Sequence, residues 1–296
     1  MNHKSNLSGV FTPVVTPFAK DEIRLDWLAE NLQKAGETKL KGYLALGSNG
    51  EFMSLSESEQ LDVIRTFAEN KKDKVVMAGT ARESVKETIE FSKKAIELGS
   101  DYISVLSPHY FAKKMNDEVL YRYYSLVADA LTVPVLLYNA PGFASGVMLS
   151  NSLVSRLADH PNIIGMKDSS PAGMNGYLAA VQDKDFHVLA GSANFYYSAL
   201  NLGAVGGIIS LANALPELCC GFHEAVVSGN SELAVTEHYR IFRLNQAVSG
   251  KYGVAGVKAS MNITGYNGGE PRQPLAAINA DQSSEMKAFF EKMDVL

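Results

Sequence analysis

Pro161-Asn162-Ile163-Ile164-Gly165-Met166-Lys167-Asp168-Ser169 is a short apolar run that follows a Pro/Asn break and finishes on a lysine. A run of this kind reads as a buried strand. A lysine finishing it directs an amine into the protein, where an ammonium is costly. Desolvation disfavours the charged form, and a neutral amine is a nucleophile able to form a Schiff base with a carbonyl compound. A strand-end lysine can equally snorkel to solvent, and taken alone that is the default reading. The rest of the chain decides between the two.

Seven more β-rich runs accompany this one. Strands are expected at 10–15, 42–46, 75–78, 102–106, 133–138, 163–166, 186–190 and 207–209. Amphipathic segments such as 25–38, 57–70, 84–98 and 117–131 lie between them. Ser56 with Glu59 makes a capping-box pattern, and Ser150 precedes another helix. Gly99 and Gly203 stand where helix C-cap glycines belong. Alternating strands and helices, with strands roughly 20–35 residues apart, imply parallel strands joined by crossover helices. Eight such units predict an α/β fold, a (β/α)8 TIM barrel. An open doubly wound sheet would show a glycine-rich phosphate loop after the first strand. Thr12-Pro13-Val14-Val15-Thr16-Pro17-Phe18 stands there instead. The barrel is expected over 1–210. Residues 211–296, mostly helical in pattern, are expected to pack on it as an extension.

Bulk properties exclude several classes. Of the 296 residues, 46% are hydrophobic, which suits a large core and excludes a disordered chain. The net charge of −5 suggests neither a nucleic-acid nor an anionic-membrane partner. No apolar stretch reaches the length of a membrane span, and the first residues lack the apolar core of a signal peptide. A cytoplasmic protein is expected. Cys219 and Cys220 are adjacent and read as small buried hydrophobes on a helix. The six histidines show no metal-ligand spacing, so no metal is expected.

Active sites of such barrels lie at the C-terminal ends of the strands. Those ends read Gly47-Ser48-Asn49-Gly50-Glu51, Ser107-Pro108-His109-Tyr110, Tyr138-Asn139-Ala140-Pro141-Gly142, Lys167-Asp168-Ser169, Ala190-Gly191-Ser192 and Ser210-Leu211-Ala212-Asn213. Lys167 supplies an amine, Tyr138 an acid/base group one strand away, and Ser48 a hydroxyl able to relay a proton. The Gly47–Gly50 segment can offer backbone N–H groups to a carboxylate. A 2-oxo acid suits that pairing. Each residue also has a plainer reading. Tyr138 could cap the barrel core, Gly47-Ser48-Asn49-Gly50 could be only a tight turn, and His109 could be a satisfied rim residue. Asp168 reads as a structural hydrogen-bonding group. Gly203-Ala204-Val205-Gly206-Gly207 reads as a helix end and close packing.

With these residues in place, the chain resembles the pyruvate-dependent class I aldolase superfamily, the dihydrodipicolinate synthase and N-acetylneuraminate lyase family. Thr16-Pro17-Phe18, Gly47 to Glu51, Tyr138-Asn139-Ala140-Pro141, Gly165-Met166-Lys167-Asp168, Ala190-Gly191-Ser192 and Gly256-Val257-Lys258 carry the resemblance nearly end to end. It implies a Schiff base on Lys167, proton transfer by Tyr138, and a relay through Ser48 to a tyrosine, Tyr110, that crosses a subunit interface. It implies substrate contacts from Ser48, Asn49, Ser169, Gly191 and Ile209, no cofactor, and a homotetramer built as a dimer of dimers.

One departure bears on substrate. The dihydrodipicolinate synthases carry an arginine just after the tyrosine matching Tyr138. Here the loop is Pro141-Gly142-Phe143-Ala144-Ser145-Gly146, with no cation to pair a second carboxylate. Several words stand closer to the 4-hydroxy-2-oxoglutarate aldolase branch, among them Gly47 to Phe52 and His160 to Ser169. The expected activity is therefore a carbon–carbon lyase that cleaves 4-hydroxy-2-oxoglutarate to pyruvate and glyoxylate. Dihydrodipicolinate synthesis from pyruvate and aspartate semialdehyde, 2-keto-3-deoxy sugar acid cleavage and N-acetylneuraminate cleavage are the alternatives. An inactive barrel acting as a ligand-binding regulator is the non-enzymatic one.

Overall fold

A computed structural model describes residues 3–170 and 173–296. Its centre is a closed barrel of eight parallel strands. They are β1 (Gly9–Pro13), β2 (Gly42–Ala45), β3 (Val75–Gly79), β4 (Tyr102–Leu106), β5 (Val135–Asn139), β6 (Ile163–Asp168), β7 (His187–Ala190) and β8 (Gly206–Ile208). Each pairs with its sequence neighbours, and β8 closes on β1. All eight strands meet the sequence expectation, with ends shifted by a few residues.

Strand alternation sorts the apolar residues into two cores. Phe11, Leu44, Met77, Tyr102, Leu136, Ile164, Leu189 and Ile208, one from each strand, fill the barrel interior. Leu7, from the short helix His3–Leu7, plugs the N-terminal end beneath them. Residues of opposite parity, such as Leu137, Met166 and Val188, face the surrounding helices. Burying one such Leu, Ile or Phe contributes about 1.5–3 kcal/mol, so both layers matter to stability.

The phase of β6 is broken once, and the break aims the lysine. Val135 of β5 pairs with Ile163, but Leu136 pairs with Gly165, so Ile164 is an extra residue. Strict alternation from the inward Ile164 would turn Met166 inward and Lys167 outward. With the bulge, Ile164 and Gly165 share the inner face, Met166 joins the outer core, and Lys167 comes to lie beside Tyr138 in register. Re-aiming a side chain is what a bulge does. Gly165 is also required by space, because a Cβ there would lie 2.3 Å from the His187 carbonyl oxygen.

The local signals read from sequence appear as built features. Ser56 and Glu59 form a complete capping box on helix Glu57–Asn70, and Ser150 caps Asn151–Leu157. Gly99 and Gly203 follow their helices at φ +103° and +107°. Cys219 and Cys220 are free and buried on helix Pro216–Val227.

Two features differ from expectation. Helix Pro216–Val227 follows β8 and packs on β1, completing the ring of barrel helices, so a boundary at 210 separates β8 from its own helix. The appended part is Ser231–Asn245, a π-helical turn Gln246–Gly250, Lys251–Ile263 and Ala280–Lys292. The second difference is a small antiparallel ribbon, Phe18–Ala19 with Glu22–Ile23, too short at two residues per strand to leave an alternation in the sequence. Phe18 bridges to Glu270 and ties the tail to the first barrel loop. Among the described residues, no helix is long and apolar enough to cross a membrane.

Candidate active site

Tyr138 and Lys167 stand side by side on β5 and β6 at the C-terminal end of the barrel. Both are buried, and Lys167 Nζ lies 4.4 Å from the centre of the Tyr138 ring. The lysine thus does not snorkel: the stems of β5 and β7 hold it against an aromatic face. Ser48, on the turn after β2, brings its Oγ to 3.4 Å from the Tyr138 hydroxyl. Burial pushes the Tyr138 phenol up, but the Lys167 charge and hydrogen bonds with Ser48, Ser169 and Lys167 outweigh it, and the net shift is downward. A phenol held below its ordinary value of about 10 is better suited to exchange a proton near neutrality.

These groups line a cavity of about 480 Å³, ample for a small acid and a second reactant. The turn Ser48–Gly50 is one 3₁₀ turn, in which the amides of Gly50 and Glu51 bond back to the Gly47 and Ser48 carbonyls. The amides of Ser48 and Asn49 have no acceptor inside the turn, which leaves them for a ligand. Asn49 Nδ2 donates to Ser210 Oγ at 2.8 Å, fixing the turn across the barrel mouth. Gly191 is required by space. A Cβ at 191 would lie 2.7 Å from the Asp168 carbonyl oxygen, which cannot move aside, and 2.2 Å from the Ser169 hydroxyl.

Of the residues singled out from sequence, Lys167, Tyr138, Ser48, Asn49, Ser169 and Gly191 therefore meet at one cavity. Ile209 does not. It follows the inward Ile208, so it turns outward and is buried in the barrel–helix core, and Ser210 takes its place on the wall. Tyr110 is also outside the cavity. It is 78% exposed and stacks edge-on against Phe111, itself 66% exposed. Asp168 has the structural role read for it. Its Oδ1 accepts from Asn139 Nδ2 at 2.8 Å and from the Ser170 amide and hydroxyl. His109 sits at the rim with its amide on Glu83.

Other wall residues were not anticipated. Ser249, Tyr252 and Gly253 come from the appended helices, and Phe143 from the loop after β5. The helix enters the cavity through the π turn Gln246–Gly250, and Gly253 takes φ 58°, ψ −141°, a conformation outside the helix. π-Turns recur at functional sites. The local signal for this break is a run of glycines, Gly250, Gly253 and Gly256, inside a helical pattern. Among the described residues, no group of three or more His, Cys, Asp or Glu is placed to hold a metal ion.

A buried amine beside a phenol, with backbone amides facing the same cavity, is a pairing that nucleophilic amine chemistry can use. The sequence matches the model of the dihydrodipicolinate synthetase family over residues 6–293. The chain belongs to that family. The family's membership in the pyruvate-dependent class I aldolases, carbon–carbon lyases and synthases, agrees with the geometry just described. A curated relative from Methanosphaerula palustris, named 4-hydroxy-tetrahydrodipicolinate synthase, is 33% identical over 97% of this chain and 99% of its own. YagE, a prophage protein of the dihydrodipicolinic acid synthase family from E. coli K12, was solved in complex with pyruvate. It superposes with a TM-score of 0.89 at 28% identity, covering 98% of this chain and 99% of that one. A monomeric dihydrodipicolinate synthase variant superposes with a TM-score of 0.92 at 25% identity, covering 98% of each chain, so family members differ in assembly.

Proposed function

We propose that this family member works through an imine between Lys167 and the C2 carbonyl of pyruvate or a pyruvyl acid. The observation that carries the reading is the buried pairing of Lys167 with Tyr138 under a cavity that also offers the Ser48 and Asn49 amides. Lys167 Nζ attacks C2, the carbonyl oxygen leaves as water, and the imine draws electrons from the neighbouring carbon. In the synthetic direction C3 loses a proton, and the resulting enamine attacks an aldehyde carbon. In the cleaving direction Tyr138 takes the proton of the C4 hydroxyl as the C3–C4 bond breaks. Hydrolysis of the imine frees the product. Ser48 passes the proton onward from Tyr138.

For the second reactant, the name shared by the curated relatives supports the alternative drawn from sequence, condensation of pyruvate with aspartate semialdehyde, ahead of the expected release of glyoxylate. We adopt the synthase reading first. One observation keeps the 4-hydroxy-2-oxoglutarate reading in play: the loop after β5 contributes Phe143 to the cavity and no cation. We also propose that Tyr110 and Phe111 are covered by a second copy of the chain, with Tyr110 completing the relay in the neighbouring site of a tetramer. Their exposure supports this.

Borohydride reduction in the presence of pyruvate tests the chemistry, with a covalent adduct on Lys167 as the expected result. A panel of pyruvate plus aspartate semialdehyde, 4-hydroxy-2-oxoglutarate, 2-keto-3-deoxy sugar acids and N-acetylneuraminate tests the second reactant. Turnover of 4-hydroxy-2-oxoglutarate without consumption of aspartate semialdehyde would reverse the order of the two readings. Tyr110→Phe should lower kcat and leave the pyruvate adduct intact; an unchanged kcat removes Tyr110 from the relay.

A further inference from the structure

The turn that offers the Ser48 and Asn49 amides ends on Glu51, whose backbone sits at φ 52°, ψ 37°. This is the left-handed region, where glycine or asparagine is the ordinary choice and glutamate is disfavoured. Leu46, at the other end of the turn, has φ 55°. Two non-glycine residues held this way imply that the surroundings over-determine the backbone. The Glu51 side chain is the means. It runs down into the protein, fully buried, and its Oε1 lies 2.5 Å from Nζ of Lys258. Its Oε2 accepts the Arg272 amide at 2.9 Å. Lys258, on helix Lys251–Ile263, is fully buried too, donates to the Glu270 carbonyl at 2.8 Å, and lies over the Phe18 ring at 4.3 Å.

Such a pair is a poor stabiliser. Burial pushes the Lys258 ammonium down to about 8 despite the pull of Glu51. Replacing a buried ion pair by apolar side chains is often neutral or stabilising. Neither residue lines the cavity that holds Lys167. A costly buried pair attached to a disfavoured backbone needs a positional reason.

We infer that the Glu51–Lys258 ion pair is a positioning device that holds the Ser48 and Asn49 amides in the orientation that grips the carboxylate of the 2-oxo acid. The inference rests on the Schiff-base reading proposed above. It makes Glu51 and Lys258 positioning residues for the carboxylate, with Lys167 left untouched by their loss. The pair also links carboxylate recognition to the same helix that carries Tyr252 and Gly253 to the cavity.

The test compares borohydride trapping of two probes, pyruvate and acetaldehyde, which share the reacting carbonyl and differ in the carboxylate. Both adducts are counted by mass on the Lys167 peptide alone, since acetaldehyde also alkylates exposed amines, and only in variants whose circular dichroism matches the parent. Lys258→Met and Glu51→Gln are expected to lower the pyruvate-to-acetaldehyde ratio tenfold or more, chiefly through a higher pyruvate concentration for half-saturation. Leaving one buried charge unpaired can unfold a single variant, so the double variant Glu51→Leu/Lys258→Met is measured beside them. It is expected to keep a melting temperature near that of the parent and to show the same loss of preference. A ratio within twofold of the parent in the folded variants overturns the inference. Failure of the parent to trap pyruvate at all removes the Schiff-base reading instead, and this inference with it.

Discussion

The two ends of the barrel interior are built from the same strands and do opposite things. Toward the N-terminal end, every strand turns an apolar side chain inward, and Leu7 closes the bottom. One step further along, the inward positions hold Tyr138, Lys167 and Ser210 over an open cavity. The first end is filled by apolar side chains, so a change there should cost stability and leave the chemistry of folded molecules alone. At the other end polar groups are held under apolar walls, so a change there should cost activity with little loss of stability. Fold and function thus separate along a single axis, within a few residues of each strand.

The largest effect expected is at Lys167. Lys167→Ala should lower turnover by at least about 10³-fold, with little loss of melting temperature, since it removes the reacting amine and none of the apolar barrel packing. Next is Tyr138→Phe, for which kcat should fall by about 10²–10⁴-fold while pyruvate trapping on Lys167 persists. A matching loss of trapping would mean that Tyr138 acts on imine formation as well. The opposite end supplies the control. Leu136→Ala should destabilise by about 2–5 kcal/mol in urea unfolding, with KM unchanged below the transition. A raised KM there would break the separation of the two ends.

The smallest effect concerns the clamp at the start of helix Glu57–Asn70. Hydrogen bonds from Arg272, aided by the Ser56 amide, outweigh burial and hold the Glu59 carboxyl at about 2. A carboxyl depressed on folding contributes stability that is present above its ordinary value and is lost as the pH falls through the folded value. The parent should therefore lose stability relative to Glu59→Gln between about pH 4.5 and pH 2, by about 1–3 kcal/mol. An equal response of both proteins to acid would remove the clamp from the account.

What the sequence revealed follows from where each signal resides. All eight barrel strands were legible because each is a short apolar run bounded by turn residues. Capping at Ser56 and Ser150 was legible because it is local. The inward aim of Lys167 was legible as an outcome but not as a cause. Strands buried on both faces carry no alternation, so Ile163-Ile164-Gly165-Met166 gave no sign of the bulge. Ile209 was placed on the cavity wall by resemblance, and the parity set by Ile208 turns it away. Ser249, Tyr252 and Gly253 lie more than 80 residues from Lys167 in the chain, and only folding of the appended helices over the barrel mouth brings them there. The helix Pro216–Val227 cannot be told from the extension in sequence, because a helical pattern alone does not say what it packs against.

The bulge itself is open to test, since Gly165→Ala places a methyl against the His187 carbonyl and should shift β6 enough to slow imine formation. The most direct measurement is mass spectrometry of the protein after borohydride reduction with pyruvate, mapped by peptide. The account predicts a single adduct, pyruvate less one water plus two hydrogens, on the peptide containing Lys167, and none in Lys167→Ala. An adduct on another lysine, or an equal adduct in Lys167→Ala, would contradict it.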